Sequence, residues 1–287
     1  MSTESPSIGK AFNSTIQALK KHPLLFIPFI IFAIFESLAL IFLFLIPRWP
    51  LIKVFGPIIR TFWGEKFLHY PLNFLLLPKL ASNSRMALSI FIGSLLTGMA
   101  VAIVLDLYHK KSLKLGNTLN FALKKYLSLF TIVLILTGSY YFIVKFLNIV
   151  IAKYFMAGHS RLLFLPAKLW LGPALLCLNF LLAILIQSAL AYAIPVLITD
   201  HAKLLRAIGK SLLLFKKFFI PTLVLVGMPT LLYIPIIVLN YNIVFLINLL
   251  FPEIILGVAF LSIIISSLII DPLITVATTF FYLENKK

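Results

Sequence analysis

The sequence predicts an all-α integral membrane protein with six transmembrane helices in three pseudo-repeats, each led by an amphipathic interfacial helix. The chain is 62% hydrophobic and 11% charged, whereas soluble domains are about 45–50% apolar and about 25% charged. Six apolar stretches approach the roughly 20 residues that a helix needs to cross a bilayer. Three of these stretches follow a lysine pair, at Lys20-Lys21, Lys124-Lys125 and Lys216-Lys217.

The six apolar stretches are predicted to be helices, because none shows the strict apolar and polar alternation of a transmembrane β-barrel strand. All six belong to one polytopic domain, residues 1–287. The predicted spans are Leu24–Ile46, Met86–Leu105, Leu127–Ile151, Leu171–Ile198, Phe218–Leu239 and Ile254–Phe281.

The connection between the first two predicted spans, residues 47–85, is itself apolar. Leu51, Phe55, Ile58 and Phe62 recur at roughly helical spacing. A helix with one apolar face lies in the plane of the membrane interface. We therefore expect part of this connection to be an interfacial segment on the outer side.

The fifth predicted span contains four helix-disrupting residues, Pro221, Gly227, Pro229 and Pro235. Proline removes a backbone donor and clashes with the preceding helical turn, so this span is predicted to be kinked or discontinuous. Broken helices line binding sites in transporters. The alternative is a kink without a function.

The basic residues indicate how the chain is oriented. Fifteen of the 25 Lys and Arg residues fall on the side that carries both termini, and six of the other ten lie in the 47–85 connection. Cytoplasmic connections are enriched in Lys and Arg. Both termini are therefore predicted to be cytoplasmic.

Each lysine pair ends an amphipathic segment, which indicates a threefold repeat. In the third copy, apolar residues recur from Leu204 to Phe215, whereas Arg206 and Lys210 lie on the opposite face. The proposed unit is a surface helix, a lysine pair, an outward span, a connection and a returning span. The alternative is that unrelated spans each carry lysines at a cytoplasmic end. The predicted units are roughly 6–105, 112–198 and 202–281.

The net charge of +17 would suggest nucleic acid in a soluble protein. Here the basic residues cluster beside apolar stretches and no nucleic-acid motif is present, so anionic lipid headgroups are the predicted partner and nucleic acid is not. The residues predicted to contact headgroups are Lys20, Lys21, Lys124, Lys125, Arg206, Lys210, Lys216 and Lys217.

The third copy also carries a family resemblance. The run Ala191–Asp200 (AYAIPVLITD) ends a span, and the basic segment Leu204–Leu212 (LLRAIGKSL) follows it. This arrangement resembles the membrane domain associated with bacterial glycerophosphodiester phosphodiesterases, and related six-helix inner-membrane proteins of unknown function. The resemblance implies a bacterial inner membrane. It does not imply phosphodiesterase activity, because no such catalytic domain is attached. The long apolar outer connection and the lysine bias depart from the family pattern.

Three polar residues interrupt the predicted spans at similar depth. Glu36, Gln187 and Asp271 lie about 15–18 Å from the cytoplasmic ends of their spans. Ionisable residues inside a membrane are costly and suggest a function, here a proton or cation path. The favoured alternative is that the three residues only hold helices together.

No catalytic motif and no metal-ligand spacing occur in the sequence, so neither an enzyme nor a cofactor is predicted. The leading hypothesis is a non-catalytic multi-pass protein that contacts anionic lipid or a membrane-protein partner. The alternative is a transporter or channel for a small solute, ion or lipid that uses the intramembrane polar residues.

Overall fold

In the computed structural model, residues 8–111, 113–151 and 165–286 are described. No β-strand occurs within these three ranges, which confirms the predicted all-α class. The helices, numbered in chain order, are α1 (Ile8–Lys21), α2 (Ile27–Leu45), α3 (Leu51–Phe62), α4 (Leu72–Leu88), α5 (Ser94–Tyr108), α6 (Leu115–Lys124), α7 (Tyr126–Ile151), α8 (Leu165–Leu190), α9 (Ala193–Thr199), α10 (Leu204–Lys217), α11 (Phe219–Thr230), α12 (Ile234–Tyr241), α13 (Ile243–Leu249), α14 (Ile254–Ile263) and α15 (Asp271–Asn285).

Six continuous or nearly continuous helical stretches are long and apolar enough to cross a bilayer. The prediction of six spans is confirmed, and the chain is a multi-pass membrane protein. The spans, numbered one to six, are Pro23–Leu45, Leu72–Tyr108, Tyr126–Val150, Gly172–Thr199, Phe219–Tyr241 and Ile254–Asn285.

The second span begins 14 residues before the predicted position, at Leu72 instead of Met86. The polar residues between Pro78 and Arg85 lower the local hydropathy, so the sequence pattern begins the span too late. The helical backbone nevertheless continues through Pro78. The interfacial connection is correspondingly shorter than the predicted 47–85, and Arg85 belongs to a spanning helix.

The shortened connection contains α3, where an amphipathic helix is predicted. Helix α3 buries Gly56 and Ile59 against the bundle and exposes Val54, Ile58 and Phe62. Its apolar face is therefore only partly covered by the rest of the protein.

The three amphipathic helices, α1, α6 and α10, each pack against a returning span. Helix α6 packs on α5, and α10 packs on α9. Helix α1 packs on α15, so the first and last described helices meet. In each of the three predicted repeat units, the amphipathic helix thus contacts a returning span. The first two predicted units begin at residues 6 and 112, which lie outside the described residues.

Each of these three helices buries two small residues one helical turn apart. Small side chains let helices approach closely. The longer apolar residues of the predicted stripes flank the contacts, and some of them, including Ile16 and Leu212, remain exposed. The buried pairs are Ala11 and Thr15 in α1, Thr118 and Ala122 in α6, and Ala207 and Ser211 in α10.

The main hydrophobic core lies where the C-terminal halves of the returning spans meet. Helices α5, α9 and α15 contact one another there. The third span, in contrast, exposes most of its surface. The C-terminal halves of the returning spans thus form the centre of this core, and the third span lies at the periphery. The largest buried core side chains include Ile103, Tyr192, Leu197, Ile198 and Phe281.

The fifth span is interrupted. Helix α11 ends at Thr230, a 3₁₀ turn follows at Leu231–Tyr233, and α12 begins at Ile234. Pro229 lies inside α11 just before the turn, and Pro235 lies in the first turn of α12. Among the other two residues named from sequence, Pro221 lies in the first turn of α11, and a Cβ on Gly227 would lie 3.6 Å from Ile184.

The second and sixth spans each contain a π-helical segment. These segments are Ser89–Gly93, between α4 and α5, and Ile264–Ile270, between α14 and α15. π-Helical segments widen a helix locally and occur frequently at functional sites. Arg85 lies shortly before the first segment, and Asp271 follows the second directly.

Candidate functional site: an intramembrane ion-pair centre

Arg85 lies near the end of α4, where the second span packs against the first and sixth spans. Arg85 forms an ion pair with Glu36 of span one. Glu36 lies 13 residues after the start of span one and nine residues before the end of that span. At 1.5 Å per residue, Glu36 is about 20 Å and about 14 Å from the two ends. The centre is therefore near the middle of the roughly 30 Å apolar layer.

The guanidinium group of Arg85 uses each of its three nitrogens for a different residue. Nε lies 3.1 Å from Oε1 of Glu36. Nη1 donates a hydrogen bond to Oγ of Ser266. Nη2 lies 3.5 Å from Oδ2 of Asp271. One cation from span two is thus shared between a carboxylate of span one and a carboxylate of span six.

The two carboxylates are held differently. Glu36 is only 4% exposed, and its Oε2 accepts a hydrogen bond from Oγ of Ser267 while Oε1 faces Arg85. The Asp271 side chain is 34% exposed, and among the described residues Arg85 is its only polar side-chain contact. Asp271 is therefore the more loosely held partner of Arg85.

A cavity of about 380 Å³ opens on one side of the centre; we call it the first cavity. Arg85 and Lys79 are its cationic lining residues, and Glu36 is its one carboxylate among the described residues. Hydroxyl and amide groups complete the polar lining. They belong to Ser82, Ser84, Tyr233, Asn240 and Ser262.

The break in span five contributes to the first cavity. Tyr233 lies in the 3₁₀ turn, and its hydroxyl is 2.6 Å from Oγ of Ser262 in span six. The discontinuity predicted from the prolines therefore places a polar side chain at this cavity.

The second cavity, of about 220 Å³, lies on the Asp271 side of the centre. Asp271 is the one ionisable group among its described lining residues. Gln187 also lines this cavity, but no hydrogen bond joins it to Glu36 or Asp271 among the described residues. Of the three polar residues grouped from sequence, Glu36 and Asp271 thus meet at Arg85, whereas Gln187 only shares a cavity with Asp271. Hydroxyl-bearing lining residues are Ser89, Thr97, Thr137, Thr275 and Thr278.

The centre has an unbalanced charge when all its groups are ionised, because two carboxylates share one guanidinium. Buried charge is costly unless it is paired, so the remaining negative charge favours the arrival of a proton or a cation. The arginine at the same time offers a flat array of donors that suits a carboxylate or phosphate. The centre can therefore respond to ions of both signs.

Most of the residues predicted to contact lipid headgroups are exposed at the ends of the amphipathic helices. Lys125 is half-buried, and Lys210 is engaged elsewhere. The exposed residues are Lys20, Lys21, Lys124, Arg206, Lys216 and Lys217.

Lys210 belongs to a polar cluster around Asp200, at the end of span four. Oδ2 of Asp200 lies 2.5 Å from Nζ of Lys210 and accepts a hydrogen bond of 2.7 Å from the Tyr282 hydroxyl. Oδ1 lies 2.7 Å from Nζ of Lys286. This cluster ties α10 and the end of span six to the end of span four.

The same contacts set the protonation of Asp200. Partial burial raises the pKa of Asp200, but the hydrogen bonds from Lys210, Lys286 and Tyr282 together lower the pKa by more than burial raises it. The pKa of Asp200 therefore lies well below its usual range. For Lys210, burial lowers the pKa and the bonds to Asp200 and Tyr282 raise it, with a net increase. Both groups are therefore charged near neutral pH.

Comparisons with family models, with curated proteins and with solved structures find no match to this chain.

Arg85 is the residue of this candidate site that sequence reasoning missed, because the hydropathy pattern placed it in the outer connection. A signal was nevertheless present. Pro78, Ser82 and Arg85 recur at intervals of four and three residues, which places them on one face of a helix. A polar helical face directly before an apolar stretch indicates a cavity-lining extension of the span.

Proposed function

We propose that this protein is a non-catalytic membrane carrier for a small solute, and that Arg85, Glu36 and Asp271 form its ion-responsive centre. One observation carries the proposal: a half-buried cation in the middle of the membrane is shared by two carboxylates, and a cavity with polar lining groups lies on either side. A purely structural ion pair between helices requires neither cavity. The adjacent π-helical segments and the broken fifth span also support the proposal, because such interruptions accompany binding sites in transporters.

The carrier proposal is tested by measuring solute uptake into phosphatidylcholine proteoliposomes. The vesicles are placed in a defined mixture of small organic acids, amines, sugars and inorganic ions, and their contents are quantified by mass spectrometry. At least one solute should accumulate above the level in protein-free vesicles. Uptake should fall at least tenfold in Asp271→Asn and stay unchanged in Arg60→Gln, which alters an exposed arginine. If no solute accumulates, the carrier proposal fails.

A second candidate is the contact with anionic lipid that the lysine pairs predict. Its specific support is the exposure of both basic and apolar residues on the amphipathic helices, such as Lys216 and Lys217 beside Leu212 and Leu213 in α10. Such a surface suits an interface of headgroups and acyl chains. A membrane-protein partner that binds the same surface is part of this candidate.

Native mass spectrometry tests the lipid candidate. The protein is extracted with mixed phosphatidylglycerol and phosphatidylcholine, and retained lipids are counted. Replacing Lys20, Lys21, Lys216 and Lys217 with Gln should selectively reduce retained phosphatidylglycerol, whereas Lys53→Gln in α3 should not. Equal retention by all folded variants would contradict the assignment.

The membrane in which the protein lies, the side on which its termini lie and its family are also proposed here. We propose a bacterial inner membrane with both termini in the cytoplasm, on the basis of the lysine distribution and the resemblance of the Ala191–Leu212 region to the phosphodiesterase-associated membrane domain. The earlier start of span two strengthens the charge argument, because Lys79 and Arg85 no longer count as outer-connection residues.

A further inference from the structure

The two cavities at the ion-pair centre differ in charge. The first cavity carries Lys79 and Arg85 together with neutral donors, and its one described carboxylate, Glu36, already faces Arg85 and Ser267. The second cavity carries Asp271 and no cationic side chain among its described residues. The first cavity therefore suits an anion, and the second suits a proton or a cation.

Of the two ion pairs that Arg85 makes, the pair with Asp271 is the weaker. Arg85 lies closer to Glu36, at 3.1 Å, than to Asp271, at 3.5 Å. Glu36 has a second partner in Ser267, whereas Asp271 has no other polar side-chain partner in the described part of the chain. An incoming anion can thus take the place of Asp271 on Arg85 without disturbing the pair between Arg85 and Glu36.

Resting on the proposed carrier function, we propose that the carried solute is a small oxyanion, a carboxylate or a phosphate. It binds Arg85 from the first cavity in place of Asp271, and Asp271 takes up a proton from the second cavity. The protein is then a symporter of an oxyanion and a proton.

Charge balance is the physical reason for this coupling. The centre already contains two carboxylates and one guanidinium, and a bound anion would add another negative charge near the middle of the membrane. A proton that enters from the bulk solution through the second cavity and binds Oδ2 of Asp271 removes that charge and leaves no hydroxide at the centre. The anion and the proton therefore increase each other's affinity, and this coupling is reciprocal.

The charged groups around Asp271 are consistent with this role. Arg85 of α4 faces it directly, and Glu36 of α2 faces it across Arg85. The other elements that pack on this part of span six, which include α1, α5, α9 and α11, contribute no further charged group to Asp271 among the described residues. Its protonation thus depends on whether Arg85 is paired with it.

The test uses phosphatidylcholine proteoliposomes that contain the pH-sensitive dye pyranine. Inward gradients of inorganic phosphate, succinate or gluconate are imposed, with sorbitol and choline as neutral and cationic controls. At least one oxyanion should acidify the lumen faster than in protein-free vesicles. The rate should fall at least tenfold in Arg85→Lys, which keeps the charge but loses the planar donor array.

The variant Asp271→Asn distinguishes binding of the oxyanion from coupling to the proton. This variant should still bind the oxyanion, detected as a shift in thermal unfolding temperature, but should lose anion-driven acidification. Arg60→Gln should behave as the wild type. Arg85→Lys and Asp271→Asn are compared only as monodisperse protein, so a folding defect is not counted as loss of coupling.

Several results would overturn the inference while leaving the carrier function standing. Oxyanion accumulation without acidification would exclude proton coupling. Accumulation of sorbitol or choline but none of the three oxyanions would exclude the oxyanion class. Movement of fluorescent phosphatidylglycerol between leaflets without uptake of free anions would place the oxyanion on a lipid headgroup. Accumulation of no solute at all would instead remove the carrier proposal itself.

Discussion

At the scale of residues, the pair between Arg85 and Glu36 differs from the surface pair between Arg60 and Glu65. Glu36 is almost fully buried, whereas Arg60 and Glu65 have more than half of their side chains exposed. Removing one partner of a buried pair leaves an uncompensated charge, whereas exposed pairs contribute little because water screens them.

We therefore expect Arg85→Gln to lower the free energy of unfolding by about 3–5 kcal/mol. The matched change Arg60→Gln should cost less than about 1 kcal/mol. Unfolding in mixed detergent and SDS micelles, followed by circular dichroism, measures both. The double change Glu36→Gln with Arg85→Gln should recover part of the loss, since the buried Glu36 carboxylate is then no longer left without its cation. Equal stability of Arg85→Gln and Arg60→Gln would contradict the burial argument.

The Asp200 cluster gives a pH dependence of stability. Because the pKa of Asp200 is lower in the folded protein than in the unfolded chain, its ionised form stabilises the fold above the usual Asp pKa of about 4. That stabilisation is lost progressively as the pH falls below about 4 towards the folded pKa. Asp200→Asn should lower the unfolding temperature at pH 7 and reduce its dependence on pH between 4 and 3.

The unfolding temperature of each variant, recorded at pH 7, pH 4 and pH 3, measures this effect. Asp106→Asn is the matched control, because Asp106 lies at the corresponding end of span two and makes no side-chain hydrogen bond or ion pair among the described residues. If Asp106→Asn changes the pH dependence as much as Asp200→Asn does, the cluster is not its source.

At the scale of elements, close packing between spans depends on small residues in span two. Sequence shows the pairs Ser89 with Gly93 and Ser94 with Gly98, each one turn apart. In the structure, a Cβ on Gly93 would lie 3.1 Å from the Phe32 ring. A Cβ on Gly98 would lie 2.5 Å from Cδ1 of Leu129, so this position permits the closest approach.

Gly98→Ala should therefore destabilise the protein by about 1–3 kcal/mol, the usual cost of overpacking a core. Leu129 is completely buried and has little room to move away. Gly138→Ala in span three is the control, because nothing lies within 4 Å of its added Cβ. The SDS unfolding assay compares the two, and a neutral Gly98→Ala would show that the contact between spans two and three is loose.

At the scale of the whole molecule, the contact between α1 and α15 places both ends of the described chain on one side. An even number of spans has the same consequence. The segment between spans one and two should then face the opposite side.

Labelling with a membrane-impermeant maleimide tests this topology. Cys177, the single cysteine, is first replaced by Ser. The exposed positions Asn13, Glu284 and Lys66 are then changed to Cys one at a time. Asn13→Cys and Glu284→Cys should react only in inside-out vesicles, and Lys66→Cys only in right-side-out vesicles. Labelling of Asn13→Cys and Glu284→Cys from opposite sides would exclude six spans.

The sequence by itself determined the class of this protein, the number of its spans and the positions of its amphipathic helices. Apolar length and the spacing of charged residues are local properties, and the bilayer requires them of each helix separately. The prolines of span five likewise indicated an interruption, since their effect on the backbone is local.

Only the tertiary structure decided which polar residues meet. Glu36, Arg85 and Asp271 are distant in sequence, and their contact depends on how three spans pack and rotate. Polar residues that line a cavity lower the hydropathy of a span as much as a connection between spans does. The hydropathy pattern therefore predicts span two too short and places Arg85 in the outer connection. The packing of α1 on α15 is also non-local, because the two helices lie at opposite ends of the described sequence.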